Sequence, residues 1–295
     1  MIMRSLLPLL LGALMLPAAI NSAHANPFSA NAEGSGGFLA RPDISGLHST
    51  AFVIANPRTG EIISERNSNR VMPIASLTKL MTALVVLDAK QRLNEMLTVT
   101  NADIDRIKGT GSRLAIGSRL SRAEMLHIAL MSSENRAASA LAHHYPGGQR
   151  AFVEAMNAKA RMLGMWNTHF ADSTGLNPRN VSTAQDLAKL AAASATYPLI
   201  RQYSTDDQSQ VRTNKRQLHY LNSNRLIREG QWDFTLSKTG YIREAGRCLV
   251  LGTKVNSQPV VMVLLNANTT DARVADARRI KTWLESTGRT SLAAN

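Results

Sequence analysis

Three short stretches of this sequence combine residue types that can carry out nucleophilic catalysis. In the first, PIASLTKL at residues 73–80, Ser76 and Lys79 stand three positions apart, so both side chains project from one face of a helix. A serine hydroxyl is a poor nucleophile until a base removes its proton. Lysine can be that base where burial or a neighbouring cation lowers its pKa. The spacing predicts a nucleophile beside its base, although one such pair is also expected by chance.

The second stretch is Ser133-Glu134-Asn135, in LMSSENRAASALAHH between two helical segments. A hydroxyl and an amide at such a junction can both face a cleft, and Glu134 adds a carboxylate beside them. Taken alone, the triplet is more typical of a helix N-cap.

The third stretch is Lys238-Thr239-Gly240, inside the apolar run FTLSKTGYI. On an edge strand, an extended peptide substrate can add as a further strand. We expect Gly240 to let that substrate backbone come close, and Lys238 and Thr239 to bind a carboxylate. The alternative is an ordinary strand followed by a turn.

The three stretches occur in the order S-x-x-K, S-x-N, K-T-G, the set found in penicillin-binding proteins and class A β-lactamases. Further segments, among them DSTGLNPRNVSTAQDLAKL and KTGYIREAGRCLV, strengthen the likeness over about residues 48–286. The sequence resembles the low-molecular-mass penicillin-binding proteins, which are serine D-alanyl-D-alanine peptidases, and within them the periplasmic endopeptidases.

The resemblance implies a role for each motif residue. Ser76 would attack the carbonyl of a D-Ala and form an acyl-enzyme, with Lys79 accepting the proton. Ser133 would pass a proton to the leaving amine, and Asn135 would hold the peptide amide. The remaining residues would bind substrate: Lys238, Thr239 and Gly240 on the strand, and Tyr241, whose backbone N–H would complete an oxyanion hole with that of Ser76.

The function implied is a DD-endopeptidase that hydrolyses the D-Ala–diaminopimelate cross-links of peptidoglycan and is inhibited by β-lactams, without a metal or other cofactor. In that family, carboxypeptidases continue into a second domain and a membrane-anchoring helix; because nine residues follow the predicted closing helix here, we expect neither. A DD-carboxypeptidase is the main alternative. A β-lactamase would need a water-activating glutamate, for which Glu154 is one candidate, and a non-catalytic wall-binding protein would not need Ser76.

The elements that position these motifs follow from periodicity and turn residues. Two β-branched runs flank Asn56–Gly60 and predict a hairpin, and three strands are predicted between residues 234 and 267. Helices are predicted over 76–89, from 122 through about 130, and over 135–144, 148–165, 183–196 and 271–286. Capping boxes that begin at Ser121 and Ser182 mark the starts of two of them. The first helix is apolar around nearly its whole circumference, which predicts burial, and the last carries an apolar stripe that we expect to pack on a sheet. Strands at both ends with helices between them indicate an α+β fold. The resemblance implies a mostly antiparallel five-stranded sheet flanked by helices, with a helical subdomain inserted.

The N-terminus predicts export. Arg4 precedes an uncharged apolar run, and Ala23 and Ala25 provide small residues for cleavage after Ala25. We therefore expect a signal peptide at 1–25, a flexible leader at 26–45, a catalytic domain at 46–287 and a tail at 288–295. The expected location is the periplasm, with no membrane span or anchor.

Composition narrows the partners. The 295 residues carry a net charge of +13, which favours an anionic polymer, although a plain basic surface explains it equally well. Aromatic residues make up 5% and no nucleic-acid motif appears, so nucleic acid is not expected. Cys248 is the single cysteine, which rules out an internal disulfide. The pair His143-His144 lacks a metallopeptidase pattern, and we interpret it as residues at a helix end.

Overall fold

The computed structural model describes residues 44–293, with side chains through residue 287. The predicted signal peptide and all but the last two residues of the predicted leader lie outside the described residues. So do the side chains of residues 288–295, where a tail is predicted.

The described chain alternates short strands with helices. Its strands are β1 (Ala51–Ala55), β2 (Ile62–Arg66), β3 (Met72–Pro73), β4 (Met96–Thr98), β5 (Arg119–Ser121), β6 (Val181–Ser182), β7 (Gln208–Arg212), β8 (Gln217–Leu221), β9 (Phe234–Ile242), β10 (Gly246–Val255) and β11 (Gln258–Ala267). Its α-helices are α1 (Thr78–Asp88), α2 (Arg122–Met131), α3 (Asn135–His143), α4 (Gly148–Met162), α5 (Ala184–Ser194), α6 (Pro198–Thr205), α7 (Arg225–Glu229) and α8 (Thr270–Ala293). Two 3₁₀ turns cover Ala75–Leu77 and Asn101–Asp103.

One five-stranded antiparallel sheet organises the fold, in the order β2-β1-β11-β10-β9. Its first two strands come from the start of the described chain and its last three from the end. The chain therefore leaves the sheet after β2 and returns at β9, and the helical region is inserted between. This confirms the predicted α+β class, the hairpin and the five-stranded sheet. It also makes β9, which carries K-T-G, an edge strand.

Both faces of the sheet are covered. All five residues of β1 are buried, with Val53 in one apolar core and Phe52 and Ile54 in the other. Helix α8 covers the second face, where Val274 and Ile280 pack against the sheet. The predicted apolar stripe thus packs on the sheet, although α8 ends at Ala293 and the prediction ended at residue 286. Within residues 44–293, no helix has the length and apolar character needed to cross a bilayer.

The helical region largely follows the predicted pattern. Helix α1 is buried from its first residue through Val86, as its apolar circumference indicates. The capping box at the start of α2 is present, with Ser121 and Glu124 bonded reciprocally. Helix α5 begins one residue later than its predicted box, because Thr183 accepts the hydrogen bond from the N–H of Asp186. The β7–β8 hairpin was not predicted, since most of its residues are polar and exposed.

Candidate active site

The sequence predicted that Ser76 lies in the helix. In the structure it lies in the 3₁₀ turn that leads into α1. The residue before it, Ala75, has φ of 48°, in the left-handed region. Two other segments, the loop that contains Gly175 and strand β9, pack against this turn. A Cβ on Gly175 would lie 2.0 Å from the carbonyl oxygen of Ala75, so only glycine fits there. This packing leaves Ser76 only 8% exposed.

The amine of Lys79 sits at the centre of three hydrogen-bond acceptors. Its Nζ lies 2.9 Å from Oγ of Ser76, 2.8 Å from Oδ1 of Asn135 and 2.6 Å from the carbonyl oxygen of Thr174. Ser76 and Lys79 therefore meet as their spacing predicted, and Asn135 joins them from the start of α3.

Burial lowers the pKa of Lys79 from 10.5 to about 7, and this effect outweighs the charges of Asp172 and Glu134, which raise it. A neutral amine has two N–H groups and one lone pair. If Asn135 and Thr174 accept the two hydrogens, the lone pair faces the hydroxyl of Ser76. The arrangement suits a base that takes the proton of the serine.

The sequence allowed either burial or a neighbouring cation as the cause of a lowered pKa at Lys79. In the structure burial is the cause, and the neighbouring charges of Asp172 and Glu134 raise the pKa. The pKa of Lys238 lies well below its ordinary value because of burial, followed by the charges of Lys79 and Arg273.

The loop after α4 supports Lys79 through a buried carboxylate that the sequence reasoning did not single out. Asp172 accepts hydrogen bonds from the backbone N–H groups of Thr174 and Gly175, each at 2.6 Å, and of Asn177 at 2.8 Å. These bonds fix the carbonyl of Thr174 against Lys79. The available signal was the run Asp-Ser-Thr-Gly, which is typical of a turn built on an aspartate side chain.

The Ser-x-Asn stretch forms the junction between α2 and α3, as predicted. Ser133 has φ of 64°, and the N-cap of α3 is Glu134, whose carboxylate accepts from the N–H of Arg136 at 3.2 Å. The interpretation of the triplet as a helix N-cap is therefore correct for Glu134. Its carboxylate also accepts from Oγ of Ser112 at 2.7 Å and from the hydroxyl of Tyr220 at 3.4 Å. Glu134 therefore links the junction between α2 and α3 to Ser112 and Tyr220.

A surface loop connects Asn135 to the opposite side of the cleft. Nδ2 of Asn135 donates to the hydroxyl of Thr110 at 3.1 Å, and Thr110 in turn donates to Asp105 at 2.7 Å. In the same loop, Nζ of Lys108 reaches Oε1 of Glu244, in the β9–β10 turn, at 2.5 Å. The loop and the edge of the sheet are thereby linked by one ion pair.

Gly240 lets β9 come close to the nucleophile. A Cβ added there would lie 3.0 Å from the carbonyl oxygen of Ile74 and 3.1 Å from the backbone N of Ser76. The expected reason for this glycine was the approach of a substrate backbone. The structure gives a different one, the packing of the strand against the turn that carries Ser76.

The two residues before this glycine differ in exposure. Lys238 is 1% exposed, and its Nζ donates to the carbonyl oxygen of Thr239 at 3.0 Å. Thr239 lines the cleft, and its hydroxyl donates to Oγ of Ser223 at 2.7 Å. Of the pair, Thr239 is therefore the residue placed to touch a ligand, and Lys238 lies behind it.

These residues meet at a cleft of about 480 Å³. Six of the eight predicted site residues line it: Ser76, Ser133, Asn135, Thr239, Gly240 and Tyr241. Lys79 and Lys238 are buried directly behind this lining.

Three arginines that the sequence reasoning missed, Arg243, Arg247 and Arg273, also line the cleft. Arg273 is 4% exposed, and its Nε finds no hydrogen-bond acceptor among the described residues, while Nη1 donates to the carbonyl oxygen of Cys248. The guanidinium of Arg247 lies 3.6 Å from the ring centre of Tyr241. The cleft thus presents guanidinium groups to a ligand, which suits recognition of a carboxylate.

Other candidate residues lie away from this chemistry. Cys248 is buried, and burial raises its pKa to about 11, so it is not a thiolate nucleophile. Glu154 is an exposed residue of α4 that lines a different groove, so it cannot activate water at Ser76. His143 pairs with Asp103 at 2.6 Å. In the described part of the chain, no group of three histidine, cysteine, aspartate or glutamate residues could hold a metal ion.

Comparison with known proteins finds similar sequences over most of the chain. A family model described as D-alanyl-D-alanine carboxypeptidase matches residues 39–269. A D-alanyl-D-alanine endopeptidase of Pseudomonas aeruginosa is 47% identical over 250 residues, covering 84% of this chain and 81% of the relative. One from Escherichia coli is 46% identical over 248 residues, covering 83% and 79%.

The fold is also similar to solved structures. The crystal structure of a DD-transpeptidase of Streptomyces matches with a TM-score of 0.76 and 27% sequence identity. The match covers 81% of this chain and 98% of that one.

Proposed function

This chain belongs to the D-alanyl-D-alanine carboxypeptidase family of serine peptidases, and we propose that it is a DD-endopeptidase of the bacterial cell wall. Its reaction would be hydrolysis of the D-Ala–diaminopimelate cross-links of peptidoglycan. The observation that carries this proposal is the buried amine of Lys79, 2.9 Å from the hydroxyl of Ser76 in a cleft lined by arginines. The relatives named endopeptidases support the choice of bond.

Acylation begins with proton transfer. Neutral Lys79 takes the hydroxyl proton of Ser76, and Oγ forms a bond to the carbonyl carbon of D-Ala. The resulting oxyanion is stabilised by the backbone N–H groups of Ser76 and Tyr241. Gly240 keeps these two segments close together, because a side chain there would collide with the turn that carries Ser76.

Expulsion of the amine completes acylation. The bond between carbonyl carbon and nitrogen breaks, and Ser133 passes its hydroxyl proton to the leaving amine. The protonated Lys79 then returns a proton to Ser133. Asn135 bonds to Lys79 through Oδ1 and to Thr110 through Nδ2, so its amide is held in place beside the substrate. Water then attacks the ester on Ser76 and releases the acyl group, which restores the free hydroxyl.

The leaving group explains the positive charge of the cleft. In the D-Ala–diaminopimelate cross-link, the carbon that bears the leaving amine also bears a carboxylate. Thr239 and Arg273 line the cleft and offer a hydroxyl and a guanidinium to that group. A penicillin carboxylate would occupy the same place, and its ring carbonyl would acylate Ser76.

Export to the periplasm belongs to the same proposal. Its supports are the apolar run of residues 6–19, the small residues before position 26 and the relatives in two bacteria that are named D-alanyl-D-alanine endopeptidases.

A DD-carboxypeptidase is the second candidate, favoured by the description of the matching family. A terminal D-Ala also carries a carboxylate next to the scissile amide, so the same groups of the cleft would recognise it. The two activities differ in the leaving group. A carboxypeptidase releases a single terminal D-Ala, whereas an endopeptidase releases a diaminopimelate that is part of another stem peptide.

Digestion of purified muropeptides separates the candidates. Cross-linked dimers and pentapeptide monomers are incubated with wild type and with Ser76→Ala, and the products are resolved by chromatography. The endopeptidase converts dimers into monomers, and Ser76→Ala abolishes this conversion. Trimming of pentapeptides with dimers left intact would establish the carboxypeptidase instead. A fluorescent penicillin bound covalently to Ser76, identified by mass spectrometry, tests the acyl-enzyme independently.

A further inference from the structure

A second groove, of about 660 Å³, runs along α4. Its walls include Asn157 and Arg161 of α4, Trp166 and His169 of the segment that follows, and Arg179. Arg179 belongs to the loop of residues 170–180, which also supplies Thr174 to the active site. The groove therefore adjoins the catalytic region without containing any of its motif residues.

The groove has a fixed shape. The turn that carries Trp166 is pinned to α5, because Lys189 donates to the carbonyl oxygen of Gly164 at 2.5 Å and Asp186 accepts from the N–H of Asn167 at 2.9 Å. The side-chain amide of Asn157 joins α4 to the next segment by two bonds to the backbone of Phe170, at 2.8 and 2.9 Å. A ligand would meet a preformed surface, which lowers the entropic cost of binding.

This rigid turn displays a large apolar side chain to solvent. Trp166 is 74% exposed, and it lines the groove together with the apolar residues Val153 and Met165. A single exposed apolar residue is common on a protein surface, but this one belongs to the wall of a groove of fixed shape. The flat indole face suits stacking against a ring of a ligand.

The groove also carries positive charge that the protein does not neutralise. Arg161 and Arg179 are exposed, and within the described residues neither guanidinium has a carboxylate partner. The acidic residue of the groove, Glu154, is 3.7 Å from Arg150. The unpaired arginines favour a ligand with carboxylates, in keeping with the net charge of +13.

We propose that this groove binds a glycan strand of peptidoglycan with its stem peptides, which rests on the proposed function. A sugar ring stacks on Trp166, and carboxylates of the stem peptide pair with Arg161 and Arg179. Binding there holds the enzyme on the polymer while Ser76 acts on a cross-link, and so raises the local concentration of substrate. The occupant is polymeric, so a soluble dimer gains little from the groove.

Sedimentation with purified sacculi tests this site. Trp166→Ala, and the double variant Arg161→Glu with Arg179→Glu, should each weaken association with sacculi about tenfold or more, and Trp166→Phe much less. The matched control is Arg58→Glu with Arg212→Glu, two exposed arginines outside the groove with the same change in net charge. This control should sediment like the wild type.

Two further readouts distinguish the groove from the active site. Both groove variants should cut soluble dimers and react with penicillin at the wild-type rate, and release fewer products from intact sacculi. The proposal is overturned if Trp166→Ala sediments like wild type, or if the control loses as much binding as the groove variant. Failure of the wild type to cut any dimer would refute the proposed function, and sedimentation would still report on the groove.

Discussion

The rate of acylation of Ser76 should follow deprotonation of Lys79. Burial lowers the pKa of this amine from 10.5 to about 7. At pH 7 about half of the molecules then carry a neutral amine, against about one in 3,000 for an unshifted lysine. The shift corresponds to about 5 kcal/mol in favour of the neutral form. We therefore expect acylation at pH 6 to run at about a tenth of its plateau, and to reach the plateau above about pH 8.

A substitution that removes one neighbouring charge should move this profile. The carboxylate of Glu134 raises the pKa of Lys79, so Glu134→Gln should shift the ascending limb to lower pH. Glutamine can still accept from the hydroxyl of Ser112 and from the N–H of Arg136, which preserves the junction before α3. The direction of the shift therefore reports on charge.

The assay is stopped-flow labelling with a fluorescent penicillin between about pH 5 and pH 10. Lys79→Arg serves as the control. Its guanidinium stays protonated over this whole pH range and cannot act as a base, so this substitution should abolish acylation. Urea unfolding confirms that each variant is folded. An ascending limb near the ordinary pKa of lysine, or a shift to higher pH in Glu134→Gln, would refute the reasoning.

The same pKa shift predicts a trend in stability. Between about pH 7 and pH 10.5, Lys79 is protonated in the unfolded chain and neutral in the folded one. The unfolded state binds more protons there, so the contribution of Lys79 to the free energy of unfolding rises with pH across this window. Lys79→Met should remove that rise, which urea unfolding at several pH values would show. An unchanged pH dependence would contradict the shift.

Two other substitutions probe the supports of the site, and a third probes an ion pair away from it. Asp172→Asn places an N–H₂ against backbone donors of its loop, so urea unfolding should show a loss of about 3 kcal/mol. Because the change also removes a charge that raises the pKa of Lys79, labelling is compared on the plateau above about pH 8, where it should be slower than in the wild type. Wild-type behaviour in both measurements would contradict this. Gly240→Ala should slow labelling and cost about 1–3 kcal/mol by crowding the turn of Ser76. Gly111→Ala, where nothing lies within 4 Å, is its control, and equal effects would refute the argument. The hydrogen bond to Asp103 raises the pKa of His143, so His143→Gln should destabilise more at about pH 5.5 than at about pH 9, and a loss independent of pH would exclude the ion pair.

Local patterns in the sequence were enough for the elements that carry the motifs. The apolar circumference of α1 predicted burial, and the β-branched runs predicted the sheet strands, because periodicity reflects which faces meet the core. Local patterns gave no correct prediction where the signal in the sequence was weak. The β7–β8 hairpin buries few side chains, and Ser76 lies in a 3₁₀ turn because it must fit between β9 and the loop of Gly175.

What the sequence by itself determined is the set of chemical groups, the fold class and the order in which the motif-bearing elements occur. Only the tertiary structure decided the state of those groups. Thr174 and Asn135 bond to Lys79 from 95 and 56 residues away, and the buried guanidinium of Arg273 reaches the cleft from α8. The pKa of Lys79 depends on how completely such distant segments exclude water from its amine, which no local pattern records.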